Sequence, residues 1–81
     1  MKHEELLARI TIDPAVCHGK PCIRGHRIWV SLILDLLAGG MSIPDVLAQY
    51  PGVVDEDVRA CIAYGAERSR EHSVGPARGA A

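Results

Sequence analysis

The residues with the most chemistry to offer crowd into one run, Cys17-His18-Gly19-Lys20-Pro21-Cys22-Ile23-Arg24-Gly25-His26-Arg27. Two thiols and two imidazoles there are zinc-ligand types. Cys17 and Cys22 have four residues between them, the upper limit for a zinc-binding pair, with His18 and His26 close by. No second Cys/His pair follows to close a tetrahedron, and Cys61 would have to fold back onto the loop to help. The expectation is therefore no metal, with free, partly buried thiols in its place. Cys17 beside His18 holds the parts of an activated nucleophile, but adjacent residues in an extended loop point apart. The sequence has no paired carboxylate set, no Ser/His/Asp order and no Gly-rich phosphate motif. No enzymatic activity, cofactor or small-molecule substrate is expected.

The same run carries the one charge asymmetry of the chain. Residues 14–34 contain no Asp or Glu but include Lys20, Arg24 and Arg27. Functionally, Gly19 and Gly25 would let backbone N–H groups approach a phosphate or carboxylate, while the arginines supply forked donors. The plain alternative is a solvated hairpin whose arginines pair with Asp13 or Asp35. Further on, Arg59 and Ala63 would be the base readers if their helix entered a major groove. The acids Asp55, Glu56 and Asp57 at the start of that helix would repel phosphates. The DNA-contacting set is thus Lys20, Arg24, Arg27 and Arg59.

The elements that must carry these residues are short. Residues 2–8 suit a polar helical turn. Ile10-Thr11-Ile12-Asp13-Pro14 alternates apolar and polar and reads as a strand stopped by Pro14. Ile23 to Ile28 reads as a second strand, with Gly25 a turn or bulge. The two strands could pair within one chain or be exchanged with a second chain. Residues 30–38 form a helix, because Val30, Ile33, Leu34 and Leu37 follow its i, i+3, i+4, i+7 rule. Trp29, Leu32 and Leu36 lie on its other sides. A helix apolar almost all round is buried all round, so those three are expected to meet a partner chain. Gly39-Gly40 ends it in the left-handed conformation.

Ser42 caps the next helix, with Pro44 and Asp45 in its first turn. Ile43, Val46, Leu47 and Tyr50 form its apolar face, and Pro51-Gly52 stops it. The last helix begins near Asp55. Its expected inward stripe is Val58, Cys61, Ile62 and Gly65, and Arg68, Arg70 and His72 gather at its end. Residues 73–81 read as a disordered Gly/Ala/Pro-rich tail. Three helices with tight turns make a helix-turn-helix pattern.

Size and composition set bounds. Eighty-one residues make one domain, and a chain this short buries only about 60% of the surface its unfolded form exposes. A partner chain can cover the rest. The core must be aliphatic, because there is no Phe and only Trp29, Tyr50 and Tyr64 are aromatic. A net charge of −1 argues against nonspecific coating of nucleic acid. Three cysteines suit reduced thiols in a cytosol. No signal peptide or bilayer-length apolar run is visible, so a cytoplasmic location away from membrane is expected.

The stretch from Ile10 to Glu71 resembles the bacterial and archaeal domain of unknown function 433 family. The resemblance rests on Ile12-Asp13-Pro14, on Cys17 through Ile28 with Val30, and on Gly40-Met41-Ser42-Ile43-Pro44-Asp45-Val46-Leu47. Tyr50-Pro51 and Asp55-Glu56-Asp57-Val58-Arg59-Ala60 leading to Tyr64 complete it. His26 departs from a commoner Thr, and Val54 stands where a capping Ser or Thr is expected, leaving Asp55 as the alternative cap.

The resemblance implies a homeodomain-like or winged-helix-like tri-helical core, without catalytic residues. It also implies an antitoxin role beside a toxin of PIN-like ribonuclease fold. The expectation is a mainly α chain: an extension over 1–9, one helix-turn-helix domain over 10–72 opened by a short hairpin or exchanged strands, and a tail over 73–81. As function we expect a homodimeric type II antitoxin that binds its toxin and its own operator DNA. Trp29, Leu32 and Leu36 would form its dimer or partner surface. The alternatives are a stand-alone DNA-binding regulator and a zinc-stapled interaction module.

Overall fold

The computed structural model of the chain describes residues 2–71. The expected tail over 73–81, and His72, lie outside the described residues. The chain is mainly α with a short antiparallel hairpin. Helix α1 spans His3–Leu7, strand β1 Ile10–Thr11, a 3-10 turn Cys17–Gly19, and strand β2 Cys22–Ile23. Helices α2 (Val30–Ala38), α3 (Ile43–Gln49) and α4 (Asp55–Glu71) follow. Among the described residues no helix is long and apolar enough to cross a membrane.

The strands pair within the one chain, Ile10 opposite Ile23 and Thr11 opposite Cys22. Both are shorter than the sequence suggests. β1 stops before Ile12, which is 58% exposed. β2 stops before Arg24, because the chain already reverses over Arg24-Gly25-His26. Ile23 closes this reversal: its N–H donates to the Ile28 carbonyl at 3.0 Å and its own carbonyl accepts from the His26 N–H at 2.9 Å.

Helix α2 occupies the expected residues, and Val30 and Ile33 are buried on its inner side. Its stop differs in detail. Gly39 remains right-handed with φ −80°, and Gly40, at φ +106°, makes the left-handed turn. The Ser42 hydroxyl caps α3 by accepting from the Asp45 N–H at 3.2 Å, as its position predicts.

Helix α4 corrects the sequence reading twice. Its cap position is held by neither a hydroxyl nor Asp55. Asp57, three residues past Val54, turns back and accepts from the Val54 N–H at 3.0 Å, which satisfies one orphan donor of the first turn. Its inward face is Asp57, Val58, Ala60, Cys61 and Ala63, while Ile62 is 45% exposed. Small residues face inward because α4 packs closely on α2: a Cβ on Gly65 would lie 3.1 Å from a Leu34 methyl. Ala63, buried at 8% exposure, cannot read a base.

The core gathers Ile10, Ile23, Val30, Ile33, Val46, Val53, Val58, Ala60 and Cys61 from every layer. Each fully buried branched aliphatic there contributes roughly 1.5–3 kcal/mol of transfer free energy. Helix α1 belongs to this assembly. Leu6 packs against the core, and His3 Nε2 lies 3.2 Å from Glu67 Oε1 on α4.

Candidate functional site

The cationic residues singled out by the sequence fall into three surroundings. Arg24 and Arg27 flank the exposed turn in which Gly25 adopts φ +84°. A side chain there would favour a right-handed backbone, so glycine shapes the projection of both arginines. Arg24 is anchored at its base: its N–H donates to the Arg9 carbonyl at 2.7 Å and its Nε to the Ala8 carbonyl at 2.9 Å. Neither arginine pairs with Asp13 or Asp35. His26 turns inward, toward Gly52 in the loop between α3 and α4, where an added Cβ would come within 3.4 Å of His26 Cε1.

Lys20 sits apart from the arginine turn. Its Nζ lies 4.6 Å from the centroid of the Trp29 ring, within cation–π range. Arg59 is different again. Its Nε donates to Asp55 Oδ2 at 2.6 Å, one helical turn away. This bond, more than the neighbouring charges, raises the guanidinium pKa further. Arg59 therefore starts from a committed carboxylate partner and lies beside the acids that repel phosphate.

The apolar candidates also divide. Trp29 and Leu32 are exposed, at 38% and 37%, the first at the extended N-cap of α2 and the second in its first turn. Leu36, one turn past Leu32, is partly buried and packs on the core. Around the corner from Trp29 lies a groove of about 380 Å³. Val30, Leu34, Pro21 and Tyr64 supply apolar walls, and Lys20 and Arg68 supply cations.

Among the described residues no three His, Cys, Asp or Glu side chains group as metal ligands. Cys17 is half-buried, Cys22 and Cys61 fully buried. Burial first, and then the Asp57 charge, pushes the Cys61 thiol up to about 12. Sequence reasoning missed the pairing of Asp57 with Arg9, Nη1 to Oδ1 at 3.0 Å. The place of Asp57, three residues past Val54, is that of a capping-box acceptor and signals its bond to the Val54 N–H, but nothing local points to Arg9.

A family model described as protein of unknown function (DUF433) matches residues 10–65, more than half of the chain. A crystal structure of a DUF433 member protein from Anabaena variabilis ATCC 29413 is similar at 32% sequence identity and a TM-score of 0.73. The match covers 84% of this chain and 67% of that one. No curated protein matches.

Proposed function

The chain belongs to the DUF433 family, and on that premise we propose that it acts by binding, as an antitoxin that dimerises and neutralises a PIN-like ribonuclease. The observation that carries this reading is the exposed Trp29–Leu32 surface at the start of α2, flanked by Lys20 and standing apart from the aliphatic core. An exposed tryptophan is a residue type that anchors the centre of protein interfaces, and Lys20 over its ring leaves a charge at the edge of the patch. Arg24 and Arg27, held clear of Asp13 and Asp35, fit a partner surface rich in carboxylates, as a metal-dependent nuclease requires at its active site. Neutralisation needs no chemistry from this chain. Occluding the nuclease active site suffices, by mass action.

The deciding experiment is co-expression of the chain with a PIN-like nuclease encoded beside it, followed by size-exclusion chromatography with light scattering. A stable complex, with the nuclease toxic when expressed alone, supports the antitoxin. A homodimer that leaves the nuclease unbound overturns it.

Operator binding is the second reading, and the Arg24–Arg27 turn favours it. Under this reading Arg24→Ala and Arg27→Ala each weaken operator affinity and lower the salt slope by about one per lost phosphate contact. Arg59→Ala leaves both nearly unchanged, because Asp55 already holds that guanidinium. An unchanged salt slope in the double variant of Arg24 and Arg27 removes the turn as a DNA surface.

A further inference from the structure

The arginine turn borders a recess of about 300 Å³ lined by Thr11, Val16, Arg24, Gly25, His26 and Arg27. Its walls follow from local structure. Side chains alternate along a strand, so Ile10 enters the core and Thr11 faces the other way. Val16 precedes the left-handed turn in which Cys17 and His18 take φ +52° and +56°, and its N–H donates to the Asp13 carbonyl at 2.8 Å. Gly25 reverses the chain between the two arginines, and a Cβ there would meet only open space. Arg24 is fixed through Nε on the Ala8 carbonyl at 2.9 Å, which leaves both of its Nη groups without an acceptor in the chain. Among the described residues, the side chains of Arg27, His26 and Thr11 have no hydrogen-bond partner either.

The recess thus gathers unmet donors, and no carboxylate lines it. Asp13, the nearest acid in the sequence to Thr11, turns Oδ1 to the Ala15 N–H at 2.8 Å. Arg24 also lines a larger cleft of about 630 Å³, but Glu5 and Asp57 stand there beside Arg9. Asp57 already holds Arg9 at 3.0 Å, so positive charge is offset in that cleft and left uncompensated in the recess.

We propose that the recess binds a terminal phosphate group, either free phosphate or the monoester end of a larger molecule. A carboxylate offers two oxygens in one plane and satisfies one guanidinium fork. A terminal phosphate offers three acceptor oxygens and close to two negative charges, which suits two guanidinium groups, a hydroxyl and an imidazole converging from β1 and the turn. An internal phosphodiester has chain on both sides and a single charge, and suits an open groove better than a recess. The inference stands apart from the antitoxin and operator readings, because it is tested on this chain alone.

The test is a titration of the isotope-labelled full chain with potassium phosphate, followed through its backbone amide shifts. Potassium chloride and potassium acetate at matched ionic strength are the controls. The expected result is a saturating shift centred on Thr11, Val16 and residues 24–27 that neither control salt produces. Arg27→Gln should weaken phosphate binding about tenfold or more, through loss of charge-assisted hydrogen bonds. Arg70→Gln, whose arginine pairs with Glu67 on α4, should bind as wild type does. Arg24→Gln should match Arg27→Gln. Should it fail to fold, Arg27→Gln, which breaks no hydrogen bond within the chain, decides alone. A short single-stranded oligonucleotide with a 5′-phosphate, set against the same strand with a 5′-hydroxyl, separates the sources. Tighter binding of the phosphorylated strand than of inorganic phosphate assigns the recess to a nucleic-acid end, and equal binding assigns it to free phosphate. Equal binding of the two strands overturns the proposal, as do shifts that acetate or chloride reproduces, or an Arg27→Gln protein of unchanged affinity.

Discussion

Arg9 and Asp57, 48 residues apart, meet at 3.0 Å between Nη1 and Oδ1, and the same carboxylate accepts from the Val54 N–H through its other oxygen. One buried acid thus caps α4 and fastens to it the link between α1 and β1. Asp57 retains only 9% of its side-chain exposure, while Arg9 keeps 36%, so solvent tempers the ion pair and the capping bond is the better protected of the two. Asp57→Ala strands the Val54 donor and frees the arginine, and should cost about 1–3 kcal/mol. Asp57→Asn keeps an acceptor for Val54 and should cost about half as much. Urea midpoints of the two variants check the order, and equal losses would show that the cap contributes nothing.

Leu32 and Leu36 lie on one stripe of α2 but behave differently. Leu32 is 37% exposed, and Leu36 packs on the core. Leu32→Glu should leave the melting temperature within a few degrees and abolish self-association and nuclease binding. Leu36→Glu should unfold the chain and so says little about an interface. Light scattering beside circular dichroism separates the cases. A Leu32→Glu protein of unchanged mass that still binds the nuclease would remove this face from the interface.

Cys61 gives the fold a pH dependence of definite sign. Its thiol is raised from 9.0 to about 12 in the folded chain, so the folded state binds its proton more tightly than the unfolded state does. The contribution is fully present below pH 9 and is lost as pH rises from there toward 12. Wild type should lose urea resistance across this window more steeply than Cys61→Ala, which starts lower because of its cavity. Parallel pH profiles for the two proteins would contradict this.

Gly65 tests the closeness of α2 and α4. An alanine there gains up to about 1 kcal/mol of helix propensity and presses on a Leu34 methyl at 3.1 Å, the far end of a side chain that can rotate. Gly65→Ala should be nearly neutral. Gly65→Ile should destabilise by about 1–3 kcal/mol through overpacking. A stable isoleucine variant would mean that the helices separate readily.

The parts of this fold written in strong local signals were legible in the sequence. The four apolar positions of α2, the Ser42 hydroxyl and the breaks at Gly40 and Gly52 each act within a few residues. The face of α4 was not legible, because periodicity favours the bulky Ile62 over Ala60 and Ala63. The small side chains are the ones that fit against a closely packed neighbour. Nor could Cys17 and His18 announce their left-handed turn, since residues with side chains rarely adopt it. At the candidate site, the cations were visible but their commitments were not. That Arg59 belongs to Asp55 follows from a four-residue spacing, whereas Lys20 over Trp29 and Arg9 on Asp57 required the fold.

The contact of α1 with α4, sealed by His3 on Glu67 across 64 residues, bears on the order in which the molecule assembles. Helices α2, α3 and α4 follow one another through short turns and can associate with little loop entropy to overcome, whereas α1 must return across almost the whole chain. Its docking is expected to be the late step of folding and the first to reverse. Amide hydrogens of α1 should therefore exchange ahead of those in α4, and a protease should enter the native molecule at α1 before α4.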